Sequence, residues 1–202
     1  MDHKGDILSG GFADPVFESQ GVFRKLMDGM AQPGTIHVAD ARVKPPAPLG
    51  KAAGAVLLTL CDHDTPFWMN GELAKSGVPG WISFHTGAEL EIDKSGARFA
   101  VFEAGAALTS LGLFSVGTQE YPDRSTTVLI EVAVLDGGSP VRLTGPGIRD
   151  ERQIAPQGLT QAFLHMWAEN RLAFPRGIDV ILTSGDSFLC LPRSTRIDLM
   201  EN

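Results

Sequence analysis

The sequence predicts one α/β domain built on a mixed β-sheet, and three observations predict it. Apolar runs of strand length recur, among them residues 54–60 (GAVLLTL) and 126–135. Two longer segments place apolar residues at helical spacing: Val22, Phe23, Leu26, Met27 and Met30, then Ala162, Phe163, Met166 and Trp167. Turns at 136–139 (DGGS) and 184–186 (SGD) divide neighbouring strand candidates as hairpins require. A chain of 202 residues can bury a full core without disulfides or metals. No repeat, low-complexity tract or linker divides residues 1–202.

Taken in order, residues 1–14 are polar and glycine-containing and read as a loose arm. Ser19 is placed to cap the first helix, which Pro33-Gly34 stops. Residues 45–48 (PPAP) make a stiff connection. The unbroken run 54–60 reads as a strand covered on both faces, with Asp62-His63-Asp64-Thr65-Pro66 as the loop at its C-terminal end. Residues 80–86 and 98–103 read as further strands and 106–113 as a short helix. Residues 117–125 form a loop, and 126–135 is the longest strand. Residues 141–144 return as its hairpin partner. A helix over 159–172 and strands at 180–183, 188–191 and 196–200 complete the chain.

Composition excludes several functions. The net charge of −7 lacks the basic face that nucleic acid requires. No run approaches the roughly 18 apolar residues of a membrane span, and no apolar leader is visible, so the cytoplasm is the expected compartment. Cys61 and Cys190 sit in apolar runs and read as buried, reduced thiols.

The candidate site residues each admit two readings. Asp62 and Asp64, two apart, can share a hard cation facing a ligand's phosphates, or simply cap a solvated turn. His63 has no Cys/His pair nearby, so it is not at a spacing that makes a zinc site. His85 ends a strand candidate and is either a phosphate or proton-transfer group or a structural histidine. Gly145 and Gly147, in Thr144-Gly145-Pro146-Gly147-Ile148, are half of a dinucleotide fingerprint. Asp150 stands where the third glycine belongs, which favours a glycine turn pressed against another surface. Arg193 with Arg196, and Arg176 with Arg171, are candidate anion forks or solvated surface arginines. None of the lysines at 4, 25, 44, 51, 75 and 94 has Schiff-base context, and no cysteine triplet exists for an iron–sulfur cluster. No Gly-x-Ser-x-Gly elbow is present.

Several runs, in order along nearly the whole chain, carry a resemblance. They are 19–27 (SQGVFRKLM) with Pro33-Gly34, 57–66 (LLTLCDHDTP), Phe84-His85-Thr86, 143–148 (LTGPGI), 174–179 (FPRGID) and 191–195 (LPRST). Together they resemble the PhnH family of the carbon–phosphorus lyase core complex. The resemblance implies a three-layer sandwich similar to the large domain of pyridoxal-phosphate-dependent transferases, without the cofactor. It implies a homodimer that joins the other subunits of the complex. That complex forms a ribose 1-phosphonate 5-triphosphate from ATP and an alkylphosphonate, releasing adenine. The resemblance carries over no catalytic residue. Two roles stay open: an assembly subunit inactive alone, or a subunit that contributes an ATP or phosphonate pocket. A stand-alone pyridoxal enzyme is disfavoured by the lysine contexts.

Overall fold

The computed structural model describes residues 7–106 and 111–200. Helix α1 spans Pro15–Ala31. Asp14 caps it by accepting from Phe17 N at 3.4 Å, and Pro15 sits in the first turn, where a missing N–H is no loss. The helix therefore starts a turn earlier than expected, and Ser19 lies inside it, its hydroxyl donating back to Pro15 O. Val16 and Phe17 remain exposed, so the apolar periodicity does not register this first turn. Gln32 ends the helix just ahead of Pro33. Residues 7–14, part of the expected arm, are tied down: Trp81 Nε1 donates to Ser9 O at 2.8 Å and Lys44 N to Gly10 O at 2.8 Å.

Two expected strands are helices. The run 54–60 belongs to α2, Lys51–Leu60, in which every residue from Ala52 to Leu57 is buried. A helix apolar on all sides and a doubly covered strand show the same short run, so periodicity cannot separate them. Lys51-Ala52-Ala53, good helix formers upstream, extend the run to ten residues. The run 80–86 belongs to α4, Val78–Thr86. Pro79 lies in its first turn, and Gly87 closes it at φ +79°, donating to Ser83 O. The short helix α3 covers Gly71–Lys75.

The main sheet has six strands. They are β1 (Ile36–Val38), β2 (Phe67–Met69), β3 (Phe99–Phe102), β4 (Thr127–Glu131), β7 (Asp179–Ser184) and β8 (Ser187–Leu191), in the order β1-β8-β7-β4-β3-β2. β2, β3, β4 and β7 run parallel, with Phe99 opposite Thr127 and Thr127 opposite Asp179. β7 and β8 form the expected antiparallel hairpin, and β1 adds antiparallel to β8.

A second sheet of three antiparallel strands has the order β6-β5-β9, from β5 (Val141–Thr144), β6 (Arg152–Ile154) and β9 (Arg196–Leu199). β5 is therefore not the hairpin partner of β4. β4 is shorter than the expected 126–135, and its last four residues are buried. β5 alternates buried and exposed residues, the pattern of a strand covered on one face. Helix α5 spans Gln161–Leu172, capped by Thr160. The expected helix at 106–113 falls partly on 107–110, outside the described residues; Leu111–Leu113 forms a single 3-10 turn.

Alternate residues of the strands feed two cores. Val101, Leu129, Ile181, Phe188 and Cys190 pack with α1 to α4 on one face. Ala100, Phe102, Val128, Ile130, Val180 and Leu182 pack with α5 and the small sheet on the other. A buried tryptophan anchors each: Trp81 in the first, and Trp167 in the second, its Nε1 donating to Thr195 O at 2.9 Å. No helix among the described residues is long and apolar enough to cross a membrane.

Candidate functional site

Four parallel strands give the sheet two ends, and polar groups gather at both. At the C-terminal end, β2 runs into Asn70, β3 into Glu103 and β4 ends on Glu131. Asn70 Nδ2 donates to Glu103 Oε1 at 3.1 Å, and Glu103 N donates to Asn70 Oδ1 at 3.0 Å. Glu131 is buried, and its Oε1 accepts from Gly50 N at 2.7 Å, at the N-terminus of α2. Burial pushes this carboxyl up to about 7; the Gly50 N–H opposes the shift and the Glu103 charge adds to it. Thr183, opposite Glu131 in the β4–β7 ladder, has a buried hydroxyl without a hydrogen-bond partner. A hollow of about 280 Å³ lies at the ends of β3 and β4, lined by Glu103, Glu131, Gln157 and Thr160 among others. A carboxyl titrating near neutrality beside a hollow can exchange a proton at physiological pH.

At the N-terminal end, arginines join the acids. Arg193 is the hub. Its N and Nε donate to Asp179 Oδ1 at 2.7 and 3.1 Å, and Nη2 reaches Asp179 Oδ2. Nη1 donates to Pro122 O at 2.8 Å and Nη2 to Ser125 Oγ at 2.6 Å. Arg193 and Asp179 are only 14% and 20% exposed. The pair therefore ties the start of β7, the end of β8 and the loop before β4 together.

The residues singled out by sequence scatter across this frame. Asp62 follows a helix rather than a strand and leads into β2; its Oδ1 accepts from Asp64 N at 3.0 Å and from Thr65 Oγ1 at 3.1 Å. That is turn-shaping geometry. Asp64 is exposed, lies 3.3 Å from His63 Nε2, and borders a hollow of about 350 Å³ with Arg98, Asp123 and Arg124. His85 sits in the last turn of a helix, edge-on to Trp81 at 5.3 Å. Gly145 and Gly147 have φ of +132° and +80°. A Cβ on Gly147 would lie 2.0 Å from Ala31 O, so this turn is pressed against the end of α1. Arg176 is exposed and makes no hydrogen bond or ion pair among the described residues. None of the seven lines the hollow beside Glu103 and Glu131.

Sequence reasoning missed Asn70, Glu103, Glu131, Arg98 and Arg124. The signal for Glu131 was present: a carboxylate closing the apolar run Val128-Leu129-Ile130 marks a charge at a buried strand's end. Both cysteines are buried and free, and burial pushes each thiol up to about 12, which leaves them unreactive.

Fold and site define an α/β protein with a carboxyl cluster at one end of a parallel sheet and arginines paired or bordered by aspartates at the other. The model of the family described as bacterial phosphonate metabolism protein (PhnH) matches residues 10–198, and the chain belongs to that family. It is 55% identical over 198 residues, 98% of this chain and 99% of the relative, to the α-D-ribose 1-methylphosphonate 5-triphosphate synthase subunit PhnH of Rhizobium meliloti (strain 1021). It is 29% identical over 186 residues, 89% of this chain and 86% of the relative, to HtxG of Stutzerimonas stutzeri, a candidate C-P lyase subunit.

Proposed function

We propose that the chain works as the PhnH subunit of α-D-ribose 1-methylphosphonate 5-triphosphate synthase, in bacterial phosphonate breakdown. The observation that carries this is the 55% identity to that subunit across nearly the full length of both chains. The reaction so implied replaces the adenine of ATP by an alkylphosphonate. Within the enzyme this chain is inactive alone and works with the other C-P lyase subunits. That reading is supported by how its polar candidates are used: Arg193 grips Asp179, Asp62 shapes its own turn, and Gly147 meets α1.

The finer picture has one domain in three layers, similar to the large domain of pyridoxal-phosphate-dependent transferases, acting in the cytoplasm as a homodimer. The two cores on opposite faces of one sheet support the layering. Exposed Phe23 and Met27 on α1, with exposed Ile36 and Val38 on β1, support a surface that a second copy covers. Lys25 Nζ, bonded to Val38 O at 2.9 Å, joins these two elements.

The test is co-purification of the tagged chain with the other core subunits, and growth on methylphosphonate of a strain lacking this subunit and carrying this chain. Assembly and restored growth are expected. A chain that joins no partner and restores no growth overturns the reading.

A further inference from the structure

Beside Arg193 the N-terminal end of the sheet carries two more arginines, held differently. Arg98, half-buried, donates from Nη1 to Arg124 O at 2.6 Å. Arg124 stacks its guanidinium over the Tyr121 ring at 4.2 Å. Neither makes an ion pair among the described residues. A carbonyl and a ring thus orient two adjacent guanidinium groups without neutralising them, in a chain whose net charge is −7. The backbone beneath them is fixed. Thr126 Oγ1 donates to Ala97 O at 2.6 Å, Thr126 N to Ser115 O at 2.8 Å, and Arg193 pins Pro122 and Ser125 on the same loop.

The two arginines border hollows on both sides. One, of about 350 Å³, also has Asp64 and Asp123 in its wall and is poorly suited to an anion. The other, again about 350 Å³, is lined by Ser95, Arg98, Ser115, Gly117, Thr118 and Arg124 among others, and by no carboxylate. The nearby acids turn to their own loop: Glu91 Oε1 accepts from Ile92 N and Asp93 N, and Asp93 Oδ1 accepts from Ser95 N.

We propose that this second hollow binds a tetrahedral phosphorus oxyanion, a phosphate or phosphonate group, with Arg98 and Arg124 as its charged donors. A tetrahedral dianion needs several convergent donors. Two guanidinium groups beside the Ser95 and Thr118 hydroxyls supply them, with the Ser115 hydroxyl donating to Arg124 O at 3.1 Å, whereas a single carboxylate would occupy only one guanidinium. The volume exceeds that of a bare phosphate, leaving room for an organic substituent. The assignment rests on the proposed function, because that reaction's reactants all carry such groups.

The test titrates the full chain with methylphosphonate and, separately, with tripolyphosphate, at matched ionic strength, by calorimetry. Saturable binding of at least one is expected. The tighter of the two distinguishes a phosphonate site from a nucleotide-phosphate site. Arg124→Ala, on an exposed side chain, weakens binding tenfold or more with an unchanged Tm. Arg98→Lys keeps the charge, loses the fork and weakens binding several-fold. Both variants still join the other core subunits. No saturable binding up to about 10 mM, or binding unaffected by both changes, overturns the site. Loss of assembly in the variants without anion binding by the wild type also overturns it, since the arginines then meet a partner's carboxylates. Wild-type assembly without anion binding removes this inference alone. A wild type that joins no partner removes the proposed function as well.

Discussion

The two ends of the parallel strands hold their charges differently: Glu103 and Glu131 gather at one, and arginines stand beside Asp64, Asp123 and Asp179 at the other. At the C-terminal end, Gly50 at the start of α2 brings a free N–H to Glu131, and Asn70 brackets Glu103. At the N-terminal end, the loop before β4 offers carbonyls, and arginines take them: Pro122 O meets Arg193, and Arg124 O meets Arg98. The difference teaches that a charge's partner sets its role. Arg193 is spent on Asp179 and acts as a rivet; Arg98 and Arg124 rest on neutral groups and keep their charge available.

The largest expected effect breaks the rivet. Arg193→Ala leaves Asp179 without its partner and frees the loop before β4. It lowers stability by about 3–5 kcal/mol, read as a shifted urea midpoint. Arg124→Ala, at the same end, changes stability by less than about 0.5 kcal/mol. Equal losses in the two variants would erase the distinction between them.

The acid end is sharpened by pH. The folded pKa of Glu131, about 7, lies above its ordinary value of 4.5. Its contribution is therefore full below 4.5 and is lost as pH rises through about 7. Glu131→Gln keeps an acceptor for Gly50 N and removes the titration. Between pH 4 and pH 8 the variant gains on the wild type by on the order of 3 kcal/mol. Parallel stability curves across that range would show that the carboxyl is not held in this way.

A smaller effect separates glycines that are pressed from glycines that are free. Gly147→Ala meets Ala31 O and a φ of +80°, and costs about 2 kcal/mol or more. Gly105→Ala, at φ +79° with nothing within 4 Å, costs roughly 1 kcal/mol. Thermal melts of the two variants check the ranking.

The smallest effect belongs to the Asp62 turn. Asp62→Asn keeps an Oδ1 acceptor for Asp64 N and Thr65 Oγ1, and Asp64 is exposed. The double change Asp62→Asn with Asp64→Asn shifts stability by less than about 0.5 kcal/mol and leaves complex assembly and growth on methylphosphonate intact. Lost assembly with an intact fold would return this loop to the site.

Much of the fold was legible where local signals are unambiguous. The β7–β8 hairpin announced itself by two apolar runs around Ser184-Gly185-Asp186, and the helix expected over 159–172 by its apolar spacing. The site was less legible. Turn motifs such as 62–66 and 145–147 stand out in a sequence, yet the bonds of Asp62 stay within its own turn and Gly147 meets the end of α1. Glu103 and Arg98, single charges at strand ends, look ordinary until the sheet sets them beside Asn70 and Arg124.

By itself the sequence determined the α/β class, the β7–β8 hairpin and, through ordered motifs along nearly the whole chain, the PhnH family. Tertiary structure alone decided that Ala52–Leu57 is a helix buried on every side. It also decided that β5 leaves β4 for a second sheet, and which charges meet. The physical reason is range. Capping, turn chemistry and periodicity act over a few residues and are written in the chain. The burial of Glu131 against Gly50, 81 residues away, exists only once α2 has docked on the sheet.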